Sequence, residues 1–446
     1  MIGQFELVKI VGSAMLIFFA ITPSRAQDLS ETYQLALQNN PILKQSEANQ
    51  LAIGESKDQS IARLLPSISA TGASTRNQLT NKKDTFQGSG TQNYWSQTFN
   101  VNLTQPLFHW DSWVQLSQSD NKLAQAEATY QAEIQNLMIK TSESYFNVLS
   151  AQDNLQFTTA EKEAISRQLE QARQRFEVGL IAITDVHEAQ AGFDQALANE
   201  IEARNNLDNQ KEALREIVGE TEALLAPLGD QLPQIKPEPE DLKAWSDSAE
   251  ISNLGIVAAF NQAEFARKSI DVQRSGHLPK LDLVASYGIS DVNSTFGLRG
   301  DTRSVGVQLN LPLFEGGAVN SRTRQASFEY EAAKENLIAK KREVIRQVKN
   351  AYRGIFSNMS RVDALKSSVS SAESAVEATE AGFEVGTRTM VEVLNEQRNL
   401  YRAKRDYART RYDYLLNSLR LKQAASSLTV EDIEQVNRLL VGTHTK

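Results

Sequence analysis

Cysteine is absent from the 446 residues of this chain. That excludes disulfides, thiol nucleophiles, thiolate metal sites and a lipid anchor on a processed N-terminal cysteine. Histidine is almost as scarce: His109, His187, His277 and His444 are scattered, and no two have the spacing of metal ligands. Aromatic residues make up 7% and charged residues 23%, a mix that favours elongated helical packing over one globular core. The net charge of −8 argues against a nucleic-acid partner. No phosphate loop, nucleophile motif or metal cluster occurs, so the sequence reads as one without an active site and without a cofactor.

Proline is informative by where it is missing. None of the ten falls between Pro106 and Pro227, and none follows Pro312. An interior proline costs a helix about 3 kcal/mol, so these gaps mark helical territory. Glycine is also missing from Trp110 to Phe176, which predicts a helix about 100 Å long. Within the gaps Ile355, Val362, Val369, Val376 and Phe383 recur every seven residues, as do Ile338, Ile345, Tyr352 and Met359. Val148, Leu155, Leu169 and Phe176 hold the equivalent places earlier, with Lys162 as a gap. A sustained heptad implies left-handed supercoiling against neighbouring helices. A free-standing coiled-coil rod accounts for the helices alone.

Only one long apolar run is present, Ile10 to Ile21. Lys9 precedes it and Ser24-Arg25-Ala26 offers small residues for cleavage, so residues 1–26 read as a secretory signal.

The strands change the picture. Trp95, Gln97, Phe99, Val101, Leu103 and Leu107 alternate with Ser96, Thr98, Asn100, Asn102 and Thr104. Val305, Val307, Leu309, Leu311 and Leu313 alternate with Ser304, Gly306, Gln308 and Asn310, and Leu281, Leu283, Ala285, Tyr287 and Ile289 form a third such face. A weaker run follows Pro66. Apolar-out with small polar residues inward is the pattern of a membrane barrel with a wet interior. A soluble sandwich alternates likewise, but its polar face would carry more charge. Trp95 at one end, with Phe108 and Trp110 at the other, fits the two aromatic girdles. Four strands cannot close a pore, and lipid tolerates no unpaired edge. The barrel is therefore predicted to be shared: two chains give eight strands and a filled interior, three give twelve and room for a channel, and the polar inward faces favour three.

The chain also repeats itself. Leu103-Thr104-Gln105-Pro106-Leu107-Phe108 returns as Leu309-Asn310-Leu311-Pro312-Leu313-Phe314, and Phe176-Glu177-Val178-Gly179 as Phe383-Glu384-Val385-Gly386. A first repeat over 27–226 thus holds a helix, a strand pair 66–108, a long helix 110–176 and a return helix 183–220. A proline-rich linker spans 227–245. The second repeat, 246–425, holds a helix, a strand pair 279–314, a long helix 315–383 and a return helix 389–425, and a C-terminal segment 426–446 lies beside the linker. Helices over 29–62 and 249–276 lead into the strand pairs, and polar loops 81–91 and 291–301 tip the hairpins. The second loop contains Arg299-Gly300-Asp301, an adhesion tripeptide that ordinary turn chemistry explains equally well.

This layout and the two tip segments, Val178-Gly179-Leu180-Ile181-Ala182-Ile183-Thr184-Asp185-Val186 and Val385-Gly386-Thr387-Arg388-Thr389-Met390-Val391-Glu392-Val393-Leu394, resemble the TolC family of outer-membrane exit ducts of Gram-negative bacteria. The resemblance implies an α+β membrane protein, a homotrimer whose 12-stranded transmembrane β-barrel takes four strands from each chain and continues into a periplasmic α-helical barrel. It implies a passive conduit for tripartite efflux pumps, type I protein secretion or both, not an enzyme, with a periplasmic adaptor and an inner-membrane pump as partners. It places adaptor docking at Val178, Gly179, Leu180, Val385, Gly386 and Thr387. It also implies a gate lock from Arg388 to Asp185, with Thr184 as a further acceptor, and a constriction at Glu392. Two departures stand out: Phe383 replaces a tyrosine that helps the family's lock, and Asn395 replaces the second of two acidic rings. These imply a weaker closed state and a weaker cation preference. A periplasmic adaptor or structural coiled-coil protein is the other reading, and two copies of a strand–helix unit count against it.

Overall fold

A computed structural model describes residues 26–81, 90–221, 224–229, 232–233, 236–293 and 299–441. The expected signal segment before Ala26 and the centres of both hairpin loops lie outside these residues. The chain runs α1 (Leu29–Asn39), α2 (Pro41–Ala62), β1 (Ser67–Asn81), β2 (Gly90–Phe108), α3 (Trp110–Glu177) and α4 (Ile183–Val218). It repeats that order as α5 (Leu242–Ser252), α6 (Leu254–Arg274), β3 (Lys280–Val292), β4 (Arg299–Asn310), α7 (Ala318–Glu384) and α8 (Met390–Ala424), and closes with α9 (Val430–Asn437). The 68 residues of α3 make it about 100 Å long. Among the described residues, no helix is long and apolar enough to cross a membrane.

The single helices expected over 29–62 and 249–276 are each broken in two. Asn40 ends α1 and caps α2, its side chain accepting from Ile42 and Leu43 N–H with Pro41 at the first helical position. Asn253 does the same between α5 and α6, accepting from Gly255 and Ile256 N–H and donating to the Ala424 carbonyl at 2.9 Å. The asparagine oxygen satisfies amides that a new helix leaves free. The duplication therefore includes this break, and α5 begins inside the range expected for the linker.

All four strands join one antiparallel sheet of order β1-β2-β3-β4, which leaves β1 and β4 as edges. The register puts Ile68, Leu103, Ala285 and Val305 side by side on one face. Asn102, Ser286 and Ser304 sit on the other, where Gly288 leaves room for Asn100: a Cβ there would stand 2.6 Å from its Oδ1. Two boundaries differ from expectation. β4 stops at Asn310, so Leu311–Phe314 lie outside the sheet, and Leu313 and Phe314 are 89% and 88% exposed. Pro312 has no N–H for a ladder, whereas β2 carries Pro106 through at a register shift before Phe108. The 291–301 loop is also shorter than expected, because Arg299-Gly300-Asp301 belongs to β4. Arg299 pairs with Asp291 at 2.7 Å and Asp301 accepts from the Tyr287 hydroxyl, so the tripeptide is not presented at a loop tip.

Two apolar cores result. The larger gathers Leu29 and Tyr33 of α1, Tyr145 and Phe146 of α3, Val348 of α7, Tyr414 and Leu415 of α8 and Ile433 of α9. Phe146 stacks on Tyr412 at 5.6 Å, and burial pushes the Tyr33 phenol up to about 12. The Tyr145 hydroxyl donates to the carbonyls of Ala226 and Gln27, tying the two ends of the first repeat together. The linker in turn pairs with the C-terminal segment through Leu228 and Leu440. The second core lies at the far ends of the long helices.

Candidate functional site: the paired helical tips

Both long helices end in the same way. Leu180 N–H donates to the Arg175 carbonyl and Gly179 N–H to that of Phe176, while Thr387 N–H donates to Gly382 and Gly386 N–H to Phe383. These are the two bonds of a Schellman cap, which requires a left-handed residue just past the helix. Gly179 and Gly386 supply it at φ +74° and +77°. A Cβ at either would meet nothing within 4 Å, so backbone conformation alone asks for glycine there. The tight turns leave Val178, Leu180 and Val385 outermost, each at least 70% exposed.

The return helices start differently. Ala182 precedes α4 with no side-chain cap, and Thr184 and Asp185 stand in its first turn. Thr389 caps α8 in a reciprocal box, its hydroxyl accepting from Glu392 N–H while the Glu392 carboxylate accepts from Thr389 N–H at 2.7 Å. Arg388 donates to the other Glu392 oxygen, also at 2.7 Å. These bonds, the backbone amide of Thr389 first and Arg388 next, hold the Glu392 carboxyl below its usual range. Within one chain Arg388 is thus taken up by Glu392, and no Arg388–Asp185 pair occurs among its described ion pairs. Asn395 lies one turn beyond Glu392 and is exposed.

Phe383 and Phe176 occupy equivalent positions with opposite fates: Phe383 is 9% exposed and Phe176 41%. Phe383 joins the second core with Ile165, Leu169 and Ala172 of α3, Ala189 and Ala196 of α4, and Met390, Val393 and Leu394 of α8. Arg175 covers its ring, with the guanidinium carbon 5.0 Å from the centroid. Glu380 accepts from both Gln168 of α3 and Gln397 of α8. Further along, Arg405 of α8 meets buried Glu161 of α3 at 2.9 Å, and Lys162 meets buried Glu200 of α4 at 2.7 Å. The Lys162 ammonium holds the Glu200 carboxyl below its usual range. Lys162, the gap in the apolar heptad row, is therefore an ion-pair position.

Sequence reasoning missed Arg175, Glu380 and Gln397, whose partners lie across helices and leave no local signal. It also missed the capping role of Thr389, although Thr-x-x-Glu is a legible pattern. At the sheet, Trp95 lies in β2, Phe108 closes that strand and Trp110 opens α3; all three are well exposed, as is Trp113. His109 and Asp282, 3.0 Å apart, join the start of α3 to β3.

Comparison with known proteins places this architecture. The family model described as outer membrane efflux protein matches residues 32–220 and again 245–427, one stretch in each repeat. The outer membrane protein TolC of Vibrio cholerae serotype O1 is 40% identical over 420 residues, covering 92% of this chain and 93% of that protein. The alkaline protease secretion protein AprF of Pseudomonas aeruginosa is 31% identical over 427 residues, covering 94% and 89%. Among solved structures, the Campylobacter jejuni CmeC outer membrane channel superposes with a TM-score of 0.79 over 98% of both chains at 16% identity. The chain therefore belongs to the outer membrane efflux protein family and is, like these relatives, an outer-membrane protein built to form a channel.

Proposed function

We propose that three copies of this chain close one twelve-stranded barrel in the outer membrane and one helical tunnel below it, forming a passive exit duct. The observation that carries this is the sheet: one face carries an apolar band through Ile68, Leu103, Ala285 and Val305, and among the described residues the outer edges of β1 and β4 are unpaired. In lipid the apolar band is satisfied, but the open edges are not unless β4 of one subunit pairs with β1 of the next. The polar face then lines the pore, with Trp95 at one membrane boundary and Phe108 and Trp110 at the other. Energy comes from an inner-membrane pump through a periplasmic adaptor that docks on Val178, Gly179, Leu180, Val385, Gly386 and Thr387. Small toxic molecules, secreted proteins or both are the cargo. Relatives named for efflux and for protease secretion support both.

At the tip, the lock is made between subunits: Arg388 leaves Glu392 for Asp185 of the adjacent chain, with Thr184 as second acceptor. That move frees a Glu392 oxygen to face the bore, where three such carboxylates favour cations and Asn395 adds none. Phe383 lacks the hydroxyl of the family's tyrosine, so this lock is weaker by one hydrogen bond. Purified protein is expected to run as heat-modifiable trimers in gel electrophoresis and to give an ion current in planar lipid films, and Arg388→Ser to raise the conductance. A soluble single chain without current would overturn the channel, and unchanged conductance in Arg388→Ser the lock.

A further inference from the structure

We infer that each subunit carries its own closing seam at the tip, a notch at Gly192 of α4 that receives Leu394 of α8 and holds the second helical hairpin against the first. The inference rests on the channel reading above and adds an intrasubunit element to it.

Gly192 is buried in the interior of α4, where no turn or positive φ asks for glycine and where glycine weakens a helix. Its reason is proximity. A Cβ there would stand 3.3 Å and 3.7 Å from the two methyl carbons of Leu394 and 3.6 Å from Cγ2 of Ile165. Leu394 thus lies over a helix that has been stripped of its side chain, wedged against α3 as well. Around it the seam is wholly apolar: Ile165, Leu169 and Ala172 face Met390 and Val393, and all are buried. Parting the hairpins exposes this surface to water, a cost that scales with the apolar area uncovered.

The seam is bounded on both sides. Toward the turn, Arg175 lies over Phe383, a contact made by the ring itself and independent of any hydroxyl. Beside it, Glu380 bridges Gln168 and Gln397. Away from the turn, Arg405 pairs with Glu161, whose burial makes it a poor place for the helices to separate. The segment free to swing therefore runs from Met390 to about Arg405, roughly 22 Å of helix. The Arg388–Glu392 pair is local to the start of α8 and does not span the seam, so within one subunit the hairpins are held here by the apolar contacts. Closure in this chain thus has an element inside each subunit beside the lock between subunits.

The cysteine-free chain gives a direct test. Gly192→Cys with Leu394→Cys, in an Arg388→Ser background, is bridged by a short reducible thiol cross-linker and read as conductance in planar lipid films. Bridged channels are expected to keep the low conductance of the unsubstituted protein and to open on reduction. In a second arm, Gly192→Val is expected to shift the closed–open balance toward open by about five-fold or more. Adding Leu394→Ala to it restores room in the notch and is expected to reverse most of that shift. Bridged channels that open as freely as unbridged ones overturn the inference, as do Gly192→Val trimers of unchanged conductance. Absence of current from the unsubstituted protein instead overturns the channel reading beneath it.

Discussion

Glu392 shows how one carboxylate serves two purposes. It closes the capping box of α8 through Thr389 and accepts from Arg388, and both interactions favour the charged form. Its pKa is therefore depressed on folding. Any stability it contributes is present above the unfolded value and is lost only as pH falls through the folded one. The Thr389 amide, the larger cause, stays on Glu392 when Arg388 turns to Asp185, so block of the channel by multivalent cations is expected to persist at pH 4.5, the ordinary glutamate value, and to fade below it. Glu392→Gln is expected to weaken block at neutral pH. Equal block in both forms would remove Glu392 from the constriction. Glu161 is a different case, since its partner Arg405 is itself only 26% exposed. Glu161→Ala leaves that guanidinium without its counter-charge and is expected to cost about 3 kcal/mol in denaturant unfolding. A loss well under that would mean that solvent at the exposed part of Arg405 replaces its partner.

At the scale of elements, the long helices are set by what their sequences omit. Without proline or glycine across α3, nothing stops the helix until Gly179 turns the chain. Strand alternation is equally legible, because period two fixes which residues share a face. The break at Asn40 is legible from Pro41 behind it, whereas that at Asn253 is harder to read, since asparagine is also common inside loops and Leu254 gives no helix-start signal. Asn253 additionally fixes the end of α8 through the Ala424 carbonyl, a partner 171 residues away. Asn253→Ala is expected to destabilise the larger core by about 1–2 kcal/mol, a lost cap plus a lost buried hydrogen bond. Asn253→Asp, which keeps the cap oxygen but not the donor, is expected to recover part of that in the same measurement.

For the whole molecule, the decisive feature is incompleteness. One chain offers a sheet with two open edges, an apolar outer row and long helices whose apolar residues are only half covered, Val362, Val369 and Val376 among them. Val307 lies in the outer row of the edge strand β4 and is freely exposed in the single chain. Val307→Arg is expected to cost about 2–4 kcal/mol at the membrane midplane while leaving the isolated chain almost unaffected. Heat-modifiable trimers in outer-membrane fractions should diminish accordingly, and undiminished trimers would place that face away from lipid.

The duplication, the helix lengths, the four strands and the glycines of both tips follow from the sequence by itself, because each rests on local rules: proline exclusion, heptad and dyad periods, and the left-handed turn. Tertiary structure alone decided the contacts between helices at the tip. Arg388, just before the cap of α8, and Glu392, in its first turn, are local neighbours, and their pairing required only that helix start. Arg175 on Phe383, Gln168 on Glu380 and Leu394 over Gly192 are separated by about 200 residues in sequence and meet only when two hairpins pack side by side. The physical reason is that periodicity says which face a residue occupies, whereas the neighbour it meets there depends on how two helices cross.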